Sequence, residues 1–214
     1  WSDISIFSFH PVKIITTFEG GAASTNNKLI YEKLKLFLNH GITKDKKKFK
    51  IKKNKDWYYE QQLLGLNYRM TDVAASMGLS QLKKLNEFVK KRNVIAKKYE
   101  KLLNGKYLYI PKIPKKILSS FHLYVVKIKD SYSKHHESLF NYLRKKKIIV
   151  NLHYIPVHLH PYYRKLGFKI GDFIKSEKHA ETSISIPIFP GLKNKESLII
   201  SNLINNFFKK KEKK

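Results

Sequence analysis

Residues 4–25 read ISIFSFHPVKIITTFEGGAAST, and this stretch decides the fold of the first part of the chain. The segment ISIFSF alternates apolar and small residues, which predicts a buried strand that ends near Phe9. The pair Gly20–Gly21 predicts a tight return, and AAST after it predicts a second short strand. Lys13 therefore lies on a loop whose two ends are fixed by strands.

The residues alone leave two interpretations of Lys13 open. In the first it is an ordinary surface residue, because the chain has 44 basic residues of which only four are arginine. In the second it is a nucleophile, held in a pocket where burial or a nearby cation releases the proton from its amine. Ser8 supplies a hydroxyl five residues earlier, and backbone amides near the glycine pair can hold an anion.

The composition limits the classes of protein to which the chain can belong. A length of 214 residues, 42% hydrophobic and 13% aromatic, is typical of a globular protein and excludes a disordered one. No apolar run reaches the roughly 18 residues of a membrane-spanning helix, and we expect a cytoplasmic protein. The absence of cysteine excludes disulfides and thiolate metal sites.

The net charge of +28 suggests nucleic-acid binding at first sight. The excess is almost entirely lysine, whereas proteins that recognise nucleic acids favour arginine for bidentate contacts. We therefore interpret most of the charge as a compositional bias on solvated faces and expect no nucleic-acid partner. The alternative to a catalytic protein is a non-catalytic basic fragment, either a decayed enzyme or a non-specific nucleic-acid binder.

The middle of the chain predicts two helices. NKLIYEKLKLFLNHG has apolar residues at helical spacing, and Gly41 is its predicted C-cap. A lysine-rich loop follows, and a long helix is predicted from its N-cap Thr71 to about Leu103, with Gly105 as terminator. The proline-containing YIPKIPKK then marks a change of domain. The predicted domains are residues 1–104 and residues 105–214.

Strand and helix signals alternate in the last part of the chain. FHLYVVKI, IIVNLHYI and ISIPIF each predict a strand, while KHHESLFNYLRKKK and NKESLIISNLINNFFKKK each predict an amphipathic helix. This order is typical of a small α/β domain.

Several motifs together resemble one family: SFHPVKIITTFEGGAAST, HGIT, WYYEQQLLGLNYRMTDVAASMGLSQLKKL, VNLHYIPVHLHPYYRKLGF and ISIPIFPGL, in this order. The chain resembles the DegT-type nucleotide-sugar aminotransferases, which depend on pyridoxal 5'-phosphate and have fold type I. The resemblance implies an α/β chain that comprises the C-terminal part of the large cofactor domain and the small C-terminal domain. It is strongest to members of the pseudaminic acid pathway, which move an amino group from glutamate to C4 of a UDP-linked 4-keto-6-deoxy-N-acetyl sugar.

The resemblance also implies roles for individual residues. Lys13 matches the catalytic lysine that binds the cofactor covalently and then moves a proton, and Ser8 matches the serine that binds the cofactor phosphate. Asn67 matches an asparagine that reaches the cofactor of the neighbouring subunit, which implies a homodimer with a shared active site. The residues expected to bind the nucleotide sugar are Leu152, His153, Tyr154, Ile155 and Arg69.

Some features depart from the family or carry a weaker signal. Phe18 stands where the family has glycine, so we expect a strained turn there. Glu19 is either a catalytic residue or, the interpretation that we favour, a residue that fixes this turn. His153, His158 and His160 lack the spacing of a zinc site, so no metal is expected. Family members have a long segment before the lysine that this chain lacks, and we expect an incomplete enzyme that is inactive alone.

Overall fold

The computed structural model describes residues 2–51 and 55–212, which fold as a mixture of helices and antiparallel sheets. The chain divides into two compact units, Trp1–Leu85 and Asn86–Lys214. The division falls after the first residue of the helix Leu85–Leu102, because Ile95, Ala96 and Tyr99 of this helix belong to the core of the second unit. The predicted domains, residues 1–104 and 105–214, refer to the complete fold of the family and not to these compact units. They stay a prediction.

The first unit begins with the predicted pair of strands. β1 (Ser5–Ser8) pairs antiparallel with β2 (Gly21–Ser24), and Ser8 lies opposite Gly21. Both strands are confirmed, but the burial expected for β1 is wrong. Ile6 is 74% exposed and Phe7 is 49% exposed.

The next helix, α1 (Lys28–Leu38), is capped at both ends. Asn27 Oδ1 accepts hydrogen bonds from the amides of Leu29 and Ile30. The helix ends earlier than predicted, with Asn39 at the C-cap, and Gly41 donates its amide to the carbonyl of Leu36. Two further strands, β3 (Ile42–Thr43) and β4 (Glu60–Gln61), pair antiparallel after it.

The lysine-rich segment between β3 and β4 was predicted as a loop, and it contains a short 3-10 turn at Lys46–Lys48. Glu60 is buried and accepts hydrogen bonds from the amides of Lys50 (2.7 Å) and Ile51 (2.8 Å). Burial opposes the charge of this carboxylate, but its hydrogen bonds, those from the two amides foremost, lower the pKa of Glu60. Residues 52–54 lie outside the described part of the chain.

The predicted long helix is two helices, α2 (Asp72–Leu82) and α3 (Leu85–Leu102). Its start is confirmed, because Thr71 Oγ1 accepts a hydrogen bond from the amide of Ala74. The prediction of one continuous helix is wrong. The amide of Lys84 bonds to the carbonyl of Gln81, three residues back, so the last turn tightens and the helix stops.

The second unit contains a three-stranded antiparallel sheet in the order β5 (Leu108–Tyr109), β6 (Tyr124–Ile128) and β7 (Ser183–Ile186). β6 and β7 confirm two of the predicted strands. The strand predicted for IIVNLHYI is wrong, because only Asn151 pairs with the sheet, opposite Ser185. The chain leaves the sheet after Asn151, whose Oδ1 accepts a hydrogen bond from the amide of Leu152.

Four helices complete the second unit: α4 (His136–Lys145), the single-turn α5 (Pro161–Arg164), α6 (Ile174–Thr182) and α7 (Asn194–Glu212). The two predicted amphipathic helices are confirmed as α4 and α7. In the described chain the buried hydrophobic core extends from Ile95 to Phe208 and lies within this unit. Among the described helices, none is both long enough and apolar enough to cross a bilayer.

Candidate functional site

Lys13 lies on the loop that joins β1 to β2. Phe9 closes this loop, because its amide donates to the carbonyl of Gly20 (2.9 Å) and its carbonyl accepts from the amide of Thr17 (3.0 Å). The amide of Lys13 bonds to the carbonyl of His10 at 2.9 Å, and its side chain is half-buried. Within the described residues, no hydrogen bond or ion pair engages the Lys13 amine, so no neighbouring side chain holds it away from a ligand.

Ser8 ends β1 and begins the same loop. Its side chain is exposed, and the contact of its hydroxyl with the amide of His10 is long, at 3.5 Å. The hydroxyl proton is therefore available to a ligand. Opposite Ser8, a side chain on Gly21 would approach the carbonyl oxygen of Phe7 to 2.7 Å, so the close strand pairing requires glycine there.

The turn before Gly20 is strained as expected. Phe18 has φ 65°, in the left-handed region that glycine enters without cost. Thr17 is buried, and its hydroxyl donates to the carbonyl of Glu19 at 2.9 Å. The carboxylate of Glu19 is largely exposed and lies 3.9 Å from His10 Nε2. Glu19 thus takes part in the turn through its backbone.

Asn67 and Arg69 lie on a segment that binds the end of α1. The amides of Leu66 and Tyr68 donate to the carbonyls of Phe37 (2.8 Å) and Leu38 (3.0 Å), which no bond within the helix satisfies. This pairing fixes the backbone of Asn67 and leaves its side chain exposed. Arg69 is exposed too, and its guanidinium donates to Asn39 Oδ1.

An open cleft of about 760 Å³ lies in the first unit. Its walls are mainly apolar and include Phe7, Phe18, Tyr68 and Val73. Arg69 also lines this cleft, whereas Lys13, Ser8 and Asn67 are not among its lining residues. The cleft therefore brings only one of the predicted site residues to its wall.

The segment expected to bind the nucleotide sugar belongs to the second unit. Leu152 and His153 are half-buried, while Tyr154 and Ile155 are 69% and 55% exposed. His153 Nδ1 lies 2.7 Å from Ser185 Oγ on β7, and His179 Nε2 lies 3.4 Å from the carbonyl oxygen of His153. Burial lowers the pKa of His153.

The neighbouring histidines have different surroundings. His158 is buried, and its Nε2 lies 2.8 Å from Glu177 Oε1, which also accepts the amide of Gly171. The hydrogen bond from His158 is the main cause of the lowered pKa of Glu177. His160 is exposed. Over residues 2–51 and 55–212, the structure brings together no group of three side chains that could hold a metal ion.

The structure thus places the predicted residues in three groups. Ser8 and Lys13 share one loop, Asn67 and Arg69 share one segment of the same unit, and residues 152–155 lie in the other unit. Sequence reasoning missed the residues that hold His153 in place, Ser185 and His179. The alternation in SISI was the available signal, since it puts both serines of β7 on one face of the strand.

Comparison with known sequences and structures gives this geometry its context. The sequence profile of the DegT/DnrJ/EryC1/StrS aminotransferase family matches residues 1–204. The chain is 40% identical to the uncharacterized protein MJ1066 of Methanocaldococcus jannaschii, over 94% of this chain and 53% of that protein. It is 35% identical to a UDP-4-amino-4,6-dideoxy-N-acetyl-beta-L-altrosamine transaminase of Campylobacter jejuni, over 99% of this chain and 54% of the transaminase.

A solved aminotransferase structure is also similar to this chain. PseC of Helicobacter pylori, an aminotransferase involved in the biosynthesis of pseudoaminic acid, superposes with a TM-score of 0.87 at 29% identity. The superposition covers 98% of this chain and 54% of PseC. The chain spans about half the length of the curated relatives that it matches.

Proposed function

Because this chain belongs to the DegT/DnrJ/EryC1/StrS aminotransferase family, we propose that Lys13 binds pyridoxal 5'-phosphate covalently as part of a sugar aminotransferase. The observation that carries the proposal is the Lys13 amine, half-buried on a closed loop and without a partner among the described residues. Aminotransferases of this family depend on this cofactor.

The residues of the loop fit the two ends of the cofactor. An aldehyde needs an amine that is not held in an ion pair, and Lys13 offers one. A phosphate needs hydrogen-bond donors, and the exposed Ser8 hydroxyl supplies one on the same loop. When bound, the cofactor supplies the electron sink that stabilises negative charge at the carbon exchanging its amino group.

This chain's own side chains then have separate tasks. Once displaced from the cofactor by the substrate amine, Lys13 Nζ would move a proton between the substrate carbon that carries the amino group and the cofactor. Ser8 Oγ–H donates to the phosphate. Asn67 of the partner subunit donates to the same phosphate, so the complete site belongs to a homodimer. Residues 152–155 and Arg69 bind the nucleotide sugar.

The substrate class follows from the relatives. We propose that the whole protein moves an amino group from glutamate to C4 of a UDP-linked 4-keto-6-deoxy-N-acetylhexosamine, as a step toward pseudaminic acid or a related surface sugar. The 35% identity to the altrosamine transaminase supports this choice. The proposal includes a cytoplasmic location, where glutamate and nucleotide sugars are available, and neither a membrane nor a nucleic-acid partner.

Reductive labelling tests the role of Lys13. The protein is incubated with pyridoxal 5'-phosphate, reduced with borohydride, and digested for peptide mapping. We expect the label mainly on Lys13, so that Lys13→Gln removes the principal labelled peptide. Lys115→Gln, which changes an exposed lysine of the second unit, should leave the labelled peptide unchanged. A label spread evenly over many lysines would contradict the proposal.

A further inference from the structure

His153 is held in place by a residue of the neighbouring strand β7. Its backbone neighbour Asn151 is tied to β7 by two hydrogen bonds with Ser185, amide to carbonyl in each direction, at 3.2 Å and 2.8 Å. The side chain of the same serine reaches the imidazole, with 2.7 Å between Ser185 Oγ and His153 Nδ1. One residue of β7 therefore fixes both the backbone before His153 and the orientation of its ring.

The direction of the hydrogen bond between the two side chains follows from the surroundings of the hydroxyl. Ser185 is only 6% exposed, and no other acceptor for its hydroxyl lies among the described residues. If Nδ1–H donated to Oγ, the hydroxyl proton would be buried without an acceptor, which is costly. The hydroxyl therefore donates to Nδ1. Burial also lowers the pKa of His153, which favours a neutral ring able to accept this bond.

The other side of the ring is open. A neutral imidazole that accepts at Nδ1 carries its proton on Nε2. His153 Nε2 has no partner within the described part of the chain and is not among its buried polar atoms. Next to it in sequence, Tyr154 packs edge-on against the ring at 4.6 Å between centroids and is itself exposed. The Nε2–H group is thus free to donate to a ligand.

We propose that Ser185 is a positioning residue that holds His153 as the Nε2–H tautomer, so that the imidazole donates a hydrogen bond to an oxygen of the nucleotide sugar. The ligand part of this inference rests on the proposed function. His179 assists, since its ring lies within 3.4 Å of the His153 carbonyl oxygen and helps to fix the backbone there.

Nitrogen NMR of histidine-labelled protein tests the tautomer directly. In the unaltered chain we expect His153 mainly as the Nε2–H form. Ser185→Ala should abolish this preference and give a mixture of tautomers, and Ser185→Thr, which keeps a hydroxyl, should restore it. Ser183→Ala is the matched control. It removes a serine from the same strand whose hydroxyl has no hydrogen-bond partner among the described residues, and it should change nothing.

An Nδ1–H tautomer in the unaltered chain, or the same spectrum in Ser185→Ala, would overturn the inference. Addition of UDP-N-acetylglucosamine as a probe should shift the Nε2 resonance of the unaltered protein, and an unmoved resonance rejects the contact with the sugar nucleotide. Labelling of Lys13 is measured in parallel. If the unaltered protein shows no preferential label on Lys13, the proposed function is rejected. The tautomer measurement still decides the role of Ser185 in that case.

Discussion

One residue of the loop that contains Lys13 has an unfavourable backbone angle. Phe18 adopts φ 65°, and this left-handed conformation costs an L-residue roughly 1–2 kcal/mol. Its side chain is 64% exposed, so packing recovers little of that cost. The loop that presents Lys13 therefore contains a residue whose backbone conformation is energetically unfavourable.

Phe18→Gly should relax this turn. Glycine enters the left-handed region freely, and we expect a gain of about 1 kcal/mol in the free energy of unfolding of the loop region. Hydrogen exchange at the amides of Thr17 and Phe9 measures the change. Phe189→Gly is the control, because Phe189 is also exposed but has no left-handed φ, and it should lose stability. A less protected loop in Phe18→Gly would contradict the argument.

Gly65 is constrained by contact rather than by its own angles. A side chain there would lie 2.1 Å from the amide nitrogen of Gly41 and 2.8 Å from the carbonyl oxygen of Leu36. Both are backbone atoms that cannot rotate away. Gly65 therefore allows the segment of Asn67 and Arg69 to pack on the end of α1.

Gly65→Ala should destabilise the first unit by about 2 kcal/mol or more, since the backbone must separate at this contact. Denaturant unfolding followed by circular dichroism measures the loss. Gly105→Ala is the matched control, because nothing lies within 4 Å of the added methyl group. Equal stability of the two variants would show that the close approach is unimportant.

At the scale of helices and strands, local signals predicted more than distant ones. The β1–β2 hairpin, the Thr71 cap and the strands β6 and β7 were predictable because alternation, glycine and a capping hydroxyl act within a few residues. The apolar spacing continues through the break between α2 and α3, so it concealed the tight turn at Lys84. IIVNLHYI has strand-like composition, but only Asn151 meets the sheet.

The candidate site divides in the same way. The placement of Ser8 and Lys13 on one loop follows from a strand and a turn that adjoin in sequence. The contact of His153 with Ser185 joins residues 32 positions apart and depends on how the chain turns at Asn151, which no local pattern records. Sequence alone therefore predicted the loop but not the support of the imidazole.

Arg92 joins three elements of the second unit. This α3 residue is buried, and its guanidinium donates to the carbonyls of Phe121 (3.0 Å), His122 (3.3 Å) and Ile188 (2.8 Å). Burial also lowers the pKa of Arg92. The helix, the loop before β6 and the chain after β7 thus meet at one cation.

Arg92→Lys should destabilise the protein by about 2 kcal/mol, because an ammonium cannot reproduce the planar donor geometry and leaves buried carbonyls without donors. Thermal unfolding measures the effect. Arg144→Lys, at an exposed position on α4, provides the comparison and should be nearly neutral. Arg92→Lys with unchanged stability would mean that these hydrogen bonds are replaceable.

Over the whole molecule, stability should depend on acidity through the end of the last helix. Glu212 of α7 accepts hydrogen bonds from Lys106 (2.6 Å), Tyr132 (2.7 Å) and Tyr107 (2.9 Å). These contacts, that with Lys106 foremost, lower the pKa of Glu212 from 4.5 to about 2. A carboxylate with a depressed pKa contributes stability above its unfolded pKa and loses it as acidification protonates the folded state.

The free energy of unfolding should therefore fall as the pH drops from about 4.5 toward about 2, and Glu212→Gln should flatten this dependence. Urea unfolding at a series of pH values measures it. Glu100→Gln changes an exposed α3 carboxylate that forms no ion pair within the described chain, and it should keep the original slope. An unaltered slope in Glu212→Gln would assign the acid sensitivity elsewhere.

Among the described residues, the buried apolar side chains all lie between Ile95 and Phe208, and this uneven distribution has a consequence for how sequence change affects the protein. Substitutions in the second unit should mainly lower the amount of folded protein in the cell, because they disturb the hydrophobic core. Substitutions around Lys13 leave that interior intact, and under the proposed function they act on chemistry. Reactivity and durability can therefore change independently in evolution.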